Sequence, residues 1–238
     1  MYKNQSIPCM VLAAGRGERM RPLTDHTPKP LLKVKGKALI DWHIDGLATN
    51  HLTNIVVNHA WLGEQITEHL NQSKFKKLNI QLSAEHEALE TAGGLRQAMP
   101  LMKIDDYFFA INGDVFCPQF PFERILDITN QLRKNERPPM AYLFLTQNPS
   151  HHPEGDFQLN GNLVTDKTNS SINYTFSGAG LYHQDLFKSI KMGSVAKLAP
   201  ILRSAMSENL VLGEMLNVLW VDVGTPERLA ELNSNDNI

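Results

Sequence analysis

The chain has 238 residues, 42% of them apolar, and a formal charge of −2. That length and apolar content suit a globular α/β core and exclude a disordered chain. The near balance of charge gives no electrostatic case for a nucleic acid or membrane partner.

The longest apolar runs are about eight residues, too short to span a bilayer. The first contains Pro8 and lacks a signal-peptide layout, so a cytoplasmic protein is expected. Cys9 and Cys117 each lie near an apolar run, which suits buried thiols in a reducing compartment.

The run from Ile7 to Ala14 predicts a buried strand. It ends at Gly15 and Gly17, with Arg16, Arg19, Arg21 and Lys29 close behind. Glycine lets the backbone bend and approach a ligand. Free N–H groups beside fixed cations suit a polyphosphate. No Walker A loop is present, and Met20 takes the third glycine position of a dinucleotide fingerprint. An ordinary loop with solvated arginines is the alternative. Pro28 and Pro30 argue against it, because they restrict Lys29 and predict that it stays out of a helix.

Lys33 to Lys37 reads as a basic turn around Gly36. Leu39, Ile40, His43, Ile44, Leu47 and Ala48 recur at helical spacing, with His43 read as a core or boundary residue. Strand 54–58, a helix through Leu62, Ile66 and Leu70, and strand 79–83 follow. This alternation predicts an open sheet, parallel at its start. The next loop, 84–95, sits where such folds bind ligands. In it Thr91 is a predicted helix cap, and Gly93-Gly94 leave room for a flat base; a solvated acidic loop is the alternative.

Strand 107–112 stops at Gly113-Asp114, where the carboxylate is either a Mg²⁺ ligand or a turn cap. A helix 122–137, a strand 140–145, and a hairpin 157–165 turning at Asn160-Gly161 come next. His151 and His152 lie in the loop before the hairpin, with no partners spaced for zinc. Strand 173–183 carries Gly178 and Gly180, which imply close approach of another group. Helices 185–190 and 196–207 and strands 211–215 and 218–222 complete the body. Thr225 and Pro226 then start the last helix. Asp222 ends its strand in the same setting as Asp114, and is either a second metal ligand or a buried cap.

The first loop, L-A-A-G-x-G-E-R-M-R-P-L-T followed by P-K-P, resembles the signature of sugar-1-phosphate nucleotidylyltransferases. The similarity continues through L-E-T-A-G-G, N-G-D-V, H-H-P-E-G-D-F and W-V-D-V-G-T. This family joins a nucleoside triphosphate to a sugar 1-phosphate and releases pyrophosphate. The expected fold is one α/β domain over residues 1–238. It has a Rossmann-like mixed, mostly parallel sheet, helices on both faces and a small β lid at the hairpin.

The resemblance implies roles by position. Ala14, Gly15, Gly17 and Glu18 would line the nucleotide with Arg19 and Lys29, while Glu87, Thr91 and Gly93 would hold its base. Asn112, Gly155, Lys167 and Gly178 would face the sugar phosphate. Lys167 stands in D-K-T where many relatives carry E-K-P, and a solvated lysine is the alternative. Asp114 and Asp222 would bind Mg²⁺. Lys29 would stabilise the α-phosphate, and Arg21 with Arg19 would hold the leaving pyrophosphate. No general base is needed, because the attacking phosphate is already anionic.

Within the family the pattern most resembles uridylyltransferases of cell-wall sugar recycling. This implies UTP and a sugar 1-phosphate bearing a lactyl carboxylate. His151, His152, Lys167 and Arg203 are candidates for that carboxylate. The alternatives are a glucose- or mannose-1-phosphate enzyme with another base, and a non-catalytic sugar-nucleotide-binding subunit. A monomer is expected.

Overall fold

A computed structural model describes residues 7–168 and 172–235. The chain runs β1 (Cys9–Leu12), the short hairpin β2 (Lys33–Val34) and β3 (Lys37–Ala38), α1 (Leu39–Thr49), β4 (Asn54–His59), α2 (Gly63–Leu70), β5 (Asn79–Ala84) and α3 (Glu90–Met102). It continues through β6 (Tyr107–Asn112), β7 (Val115–Phe116), α4 (Ile125–Leu132), β8 (Ala141–Thr146), β9 (Phe157–Asn160), β10 (Leu163–Asp166) and β11 (Thr175–His183). Last come α5 (Leu198–Met206), β12 (Val211–Met215), β13 (Val221–Asp222) and α6 (Pro226–Ser234).

Nine strands form one mixed sheet in the order β5-β4-β1-β6-β11-β8-β12-β10-β9. The first four are parallel. β11 runs antiparallel to both β6 and β8, and β12 is parallel to β8. Side chains alternate along the central strands as a two-residue period requires. Cys9, Val11, Phe109 and Ile111 pack with α1, α2 and α4 on one face. Met10, Phe108 and Ala110 pack with α3 and α5 on the other. A third cluster, built on Met20, Val34, Phe116 and Leu229, seats α6 beside the first loop.

The carboxyl ends of β1, β4 and β6 therefore open side by side, and their loops share one crevice. Among the described residues no helix is long and apolar enough to cross a membrane.

Several local expectations shift, and the expected strand 218–222 is only β13, Val221–Asp222. The 122–137 helix is a 3₁₀ turn, Phe122–Arg124, followed by α4, which stops at Leu132. The Asn135 side chain ends it by donating to the carbonyls of Gln131 and Leu132. Helix 185–190 is only the 3₁₀ turn Gln184–Phe187, closed by Lys188 N–H on the Asp185 carbonyl. The hairpin turn is Gly161-Asn162, one residue later than expected, because Leu163 pairs with Asn160. The hairpin itself forms the edge of the main sheet instead of a separate lid.

One packing constraint is directly testable. A Cβ on Gly213 of β12 would sit 2.4 Å from the Leu143 carbonyl oxygen and 2.8 Å from Val164 Cγ2. The carbonyl belongs to the paired strand β8 and cannot swing aside. Gly213→Val gains up to about 1 kcal/mol in backbone entropy, but overpacking costs about 1–3 kcal/mol. A net loss of stability is expected in urea unfolding, and a more stable variant would refute this packing argument.

Candidate active site

Lys29 is the centre of the site. After β1 the backbone turns through Gly15 and Gly17, and Gly17 adopts φ +67°. A Cβ there would lie 3.0 Å from Thr24 Cγ2 and 3.2 Å from Lys29 Cβ, so glycine admits the lysine stem. The Thr24 hydroxyl donates to the Gly17 carbonyl at 2.8 Å and closes the loop. Contrary to expectation, Lys29 opens a short 3₁₀ turn, Lys29–Leu31. Pro30 is tolerated there because an N–H is not needed in a first turn. Lys29 is only 6% exposed, yet its ammonium reaches the crevice. Nζ lies 2.6 Å from Asp114 Oδ2 and 3.9 Å from Asp222 Oδ1.

A two-stranded sheet brings those aspartates together. β7 follows Asp114 and pairs antiparallel with β13, placing Asp222 opposite Val115. Arg228 Nη1 donates to Asp222 Oδ2 at 2.9 Å and to the Asp222 carbonyl at 3.1 Å. Arg228 is itself held on α6, whose first turn is capped by Thr225 Oγ1 accepting from Arg228 N–H. On the other side of β7, His43 Nε2–H donates to the Val115 carbonyl at 2.9 Å. His43 is fully buried, and burial pushes its pKa down to about 4. It is a neutral core residue that pins the strand after Asp114.

Two cavities flank this cluster. One, of about 420 Å³, runs along the first loop past Lys29 to Asn58, Glu85, Ala88, Glu90 and Thr91. The other, of about 390 Å³, lies against Ser177, Gly178, Trp220, His151, His152 and Asp222. They share Arg19, Asn112 and Asp114. A molecule in each would meet beside Lys29.

The first cavity has a rigid wall. Ala13 N–H donates to Asn58 Oδ1 at 2.8 Å, Asn58 Nδ2 donates to Glu85 Oε1 at 2.6 Å, and Leu89 N–H donates to Glu85 Oε2 at 2.9 Å. This chain ties the ends of β1, β4 and β5 to the start of α3. Burial raises the Glu85 pKa, while its hydrogen bonds act the other way. Glu90 adopts φ +60°, a left-handed conformation that costs a non-glycine residue about 1–2 kcal/mol.

Of the residues named from sequence, Ala14, Gly15, Gly17, Glu18, Arg19, Lys29 and Thr91 line the first cavity. Asn112 and Asp114 line both, and Gly178 and Asp222 line the second. Five fall outside. Arg21 points away, its Nε donating to Asp25 at 2.8 Å, and it is half exposed. Glu87 is exposed and lines neither cavity. Gly93 lines neither cavity, and a Cβ there would strike the Ser194 carbonyl at 2.4 Å. Gly155 packs against Asn148 and Tyr174, and Lys167 Nζ donates to the Gly155 carbonyl at 3.2 Å.

Thr91 is not the helix cap, since α3 begins one residue earlier at Glu90. Gly178 is approached by Asn112, whose Nδ2 would be 2.6 Å from a Cβ there. Asn58, Glu85 and Glu90 also line the first cavity, and none is singled out by the sequence patterns above. The available signal for Asn58 is a polar residue directly after the apolar Ile55–Val57 run, near the carboxyl end of β4.

Comparison with known proteins identifies the family. The nucleotidyl transferase family model matches residues 9–237, and the chain belongs to that family. It is 47% identical over 224 residues to N-acetylmuramate alpha-1-phosphate uridylyltransferase of Neisseria meningitidis serogroup B, covering 93% of this chain and 95% of that protein. It is 28% identical to mannose-1-phosphate guanyltransferase of Hypocrea jecorina, of which it spans 61%. A crystal structure of a putative glucose-1-phosphate thymidylyltransferase from Bacillus anthracis shares the fold. Its TM-score is 0.81 at 18% identity, over 95% of this chain and 94% of that one.

His43 gives a pH prediction. Its folded pKa of about 4 lies below the ordinary 6.5, so the unfolded chain takes the proton first as pH falls. The stability this group contributes is present above pH 6.5 and is lost on going down to about 4. The loss amounts to about 3 kcal/mol at pH 4. His43→Gln keeps a donor for Val115 and should remove that part of the acid loss. Urea unfolding of both proteins between pH 7 and 4 measures it, and parallel pH profiles would refute it.

Proposed function

We propose that the chain joins UTP to N-acetylmuramate α-1-phosphate, giving UDP-N-acetylmuramate and pyrophosphate in cell-wall sugar recycling. The observation that carries the reaction is the junction of the two cavities at Arg19, Asn112 and Asp114, beside the Lys29 ammonium. The choice of sugar and base rests on the activity of the Neisseria relative, which aligns with almost the whole chain.

The nucleotide takes the first cavity, its triphosphate along the Gly15–Arg19 backbone and its base toward Ala88 and Thr91. The sugar phosphate takes the second. A phosphate oxygen of the sugar attacks the α-phosphorus, a new P–O bond forms in line, and the bond to the β-phosphate oxygen breaks. Its electron pair leaves with pyrophosphate. Lys29 offsets the charge gathering on the α-phosphate. Of the two arginines expected at the leaving group, Arg19 faces it, while Arg21 is committed to Asp25.

Asp114 and Asp222 fit Mg²⁺, which takes one or two carboxylates and leaves its other positions to phosphate and water. Arg228 occupies Asp222 Oδ2 and leaves Oδ1 turned toward Lys29. A bound Mg²⁺ would neutralise and clamp the phosphate oxygens. The two buried free cysteines accord with the cytoplasm.

A second reading is a mannose-1-phosphate guanylyltransferase, favoured by the Hypocrea relative. A panel of four nucleoside triphosphates against muramate, glucose and mannose 1-phosphates, read by pyrophosphate release, separates the two. UTP with the muramate should be fastest. A preference for GTP and mannose would overturn the specificity, and absence of pyrophosphate with every pair would overturn catalysis.

Lys29→Ala should lower kcat by roughly 10²–10³ with folding intact. Arg19→Ala should cost at least tenfold more than Arg21→Ala, whose guanidinium is committed to Asp25. Equal losses in the two arginine variants would contradict this assignment. Excess EDTA should abolish turnover and added Mg²⁺ restore it; full activity without divalent metal would remove the carboxylate roles.

A further inference from the structure

The sugar side of the site lacks its expected cation. Lys167 donates to the Gly155 carbonyl at 3.2 Å and lies 3.6 Å from Glu154 Oε2. Neither Lys167 nor Gly155 lines the second cavity. Arg203, another sequence candidate, is paired with Asp166 at 2.9 Å and also lies outside. Among the described residues, the basic side chains along that cavity are Arg19, His151 and His152. His152 Nε2 is engaged with Asp156 Oδ1 at 3.1 Å, and Arg19 stands at the junction with the nucleotide cavity.

We infer that His151 is the binding residue for the 1-phosphate of the sugar substrate. This rests on the reaction proposed above and deepens it. His151 Nε2 lies 3.6 Å from Asp222 Oδ2, too far for a hydrogen bond. That carboxylate oxygen already accepts from Arg228 at 2.9 Å. The imidazole therefore keeps a ring nitrogen for a ligand beside Asp222. The attacking phosphate has to come to this place if Asp222 and Lys29 flank the reacting centre.

The loop carrying His151 is fixed. His152 N–H donates to the Pro149 carbonyl at 2.9 Å, and Asn148 Nδ2 donates to the carbonyls of Pro153 and Asn173 at 3.0 and 2.9 Å. The residue is thus presented by a built turn.

The proposed sugar carries two anionic groups, the 1-phosphate and the lactyl carboxylate, on different ring carbons. One imidazole beside Asp222 serves the group that reacts there. The test uses this difference: N-acetylglucosamine 1-phosphate has the phosphate but no lactyl group.

His151→Ala should raise the KM for N-acetylmuramate 1-phosphate by roughly tenfold or more and leave the KM for UTP within about twofold. The same loss should appear with N-acetylglucosamine 1-phosphate. His151→Gln, which keeps an N–H donor, should recover part of it. A loss confined to the muramate would reassign His151 to the lactyl carboxylate and overturn the inference. A change mainly in the UTP KM, or none, would also overturn it.

Calorimetric binding of both sugar phosphates to wild type and His151→Ala keeps the two levels apart. If wild type binds them but releases no pyrophosphate with UTP, the reaction fails, and the binding ratio still decides His151. If wild type binds neither, both statements fall.

Discussion

The site depends on a small strand pair that fastens two distant aspartates around one ammonium. Without β7 against β13, Asp222 would have no reason to approach Asp114. Each partner of the pair is braced from outside. His43 holds the Val115 carbonyl from the core, and Arg228 holds Asp222 from α6. Lys29 then enters from the first loop, its stem passing where Gly17 has no Cβ. Three segments far apart in sequence are thus fixed by side chains that are buried or tied to a helix.

The large sheet supplies the frame for that cluster. β1, β4 and β6 run in parallel, so their carboxyl ends deliver Ala13, Asn58 and Asn112 to one rim. β11 reverses direction beside β6 and brings Gly178 to Asn112 from the other side. The change from parallel to antiparallel pairing is therefore where one cavity gives way to the next. Asn112, at the end of β6, belongs to both. The Asn58–Glu85 chain stiffens the wall of the first cavity, opposite the backbone of the first loop.

Much of this was legible in the sequence. The alternation of apolar runs with helical periods gave the order from β1 to β6, because long buried segments carry strong periodicity. Elements closed by side chains were less legible: Asn135 ends α4, and nothing in the apolar pattern says so. Glycines were read as marks of close approach, and they are, but the approaching group is often protein. At Gly93 it is the Ser194 carbonyl and at Gly178 it is Asn112. The two arginines of the first loop look alike in sequence. Their separation comes from a 3₁₀ turn, Glu18–Met20, that keeps Arg19 at the cavities and releases Arg21 into extended backbone toward Asp25.

The charges in the cluster bear on when a metal would bind. Asp114 is matched by Lys29, and Asp222 by Arg228, so the four groups are balanced by themselves. Two carboxylates already paired with cations hold a divalent ion weakly, since a like charge stands beside each of them. A triphosphate bound as proposed would change that balance. It would bring several negative charges to the Lys29 side and compete for the ammonium that Asp114 now holds. In the proposed reaction, a Lys29 turned toward phosphate would leave Asp114 without its partner and able to bind a hard cation. Metal and nucleotide would then favour each other's binding, an expectation that follows from the shared lysine.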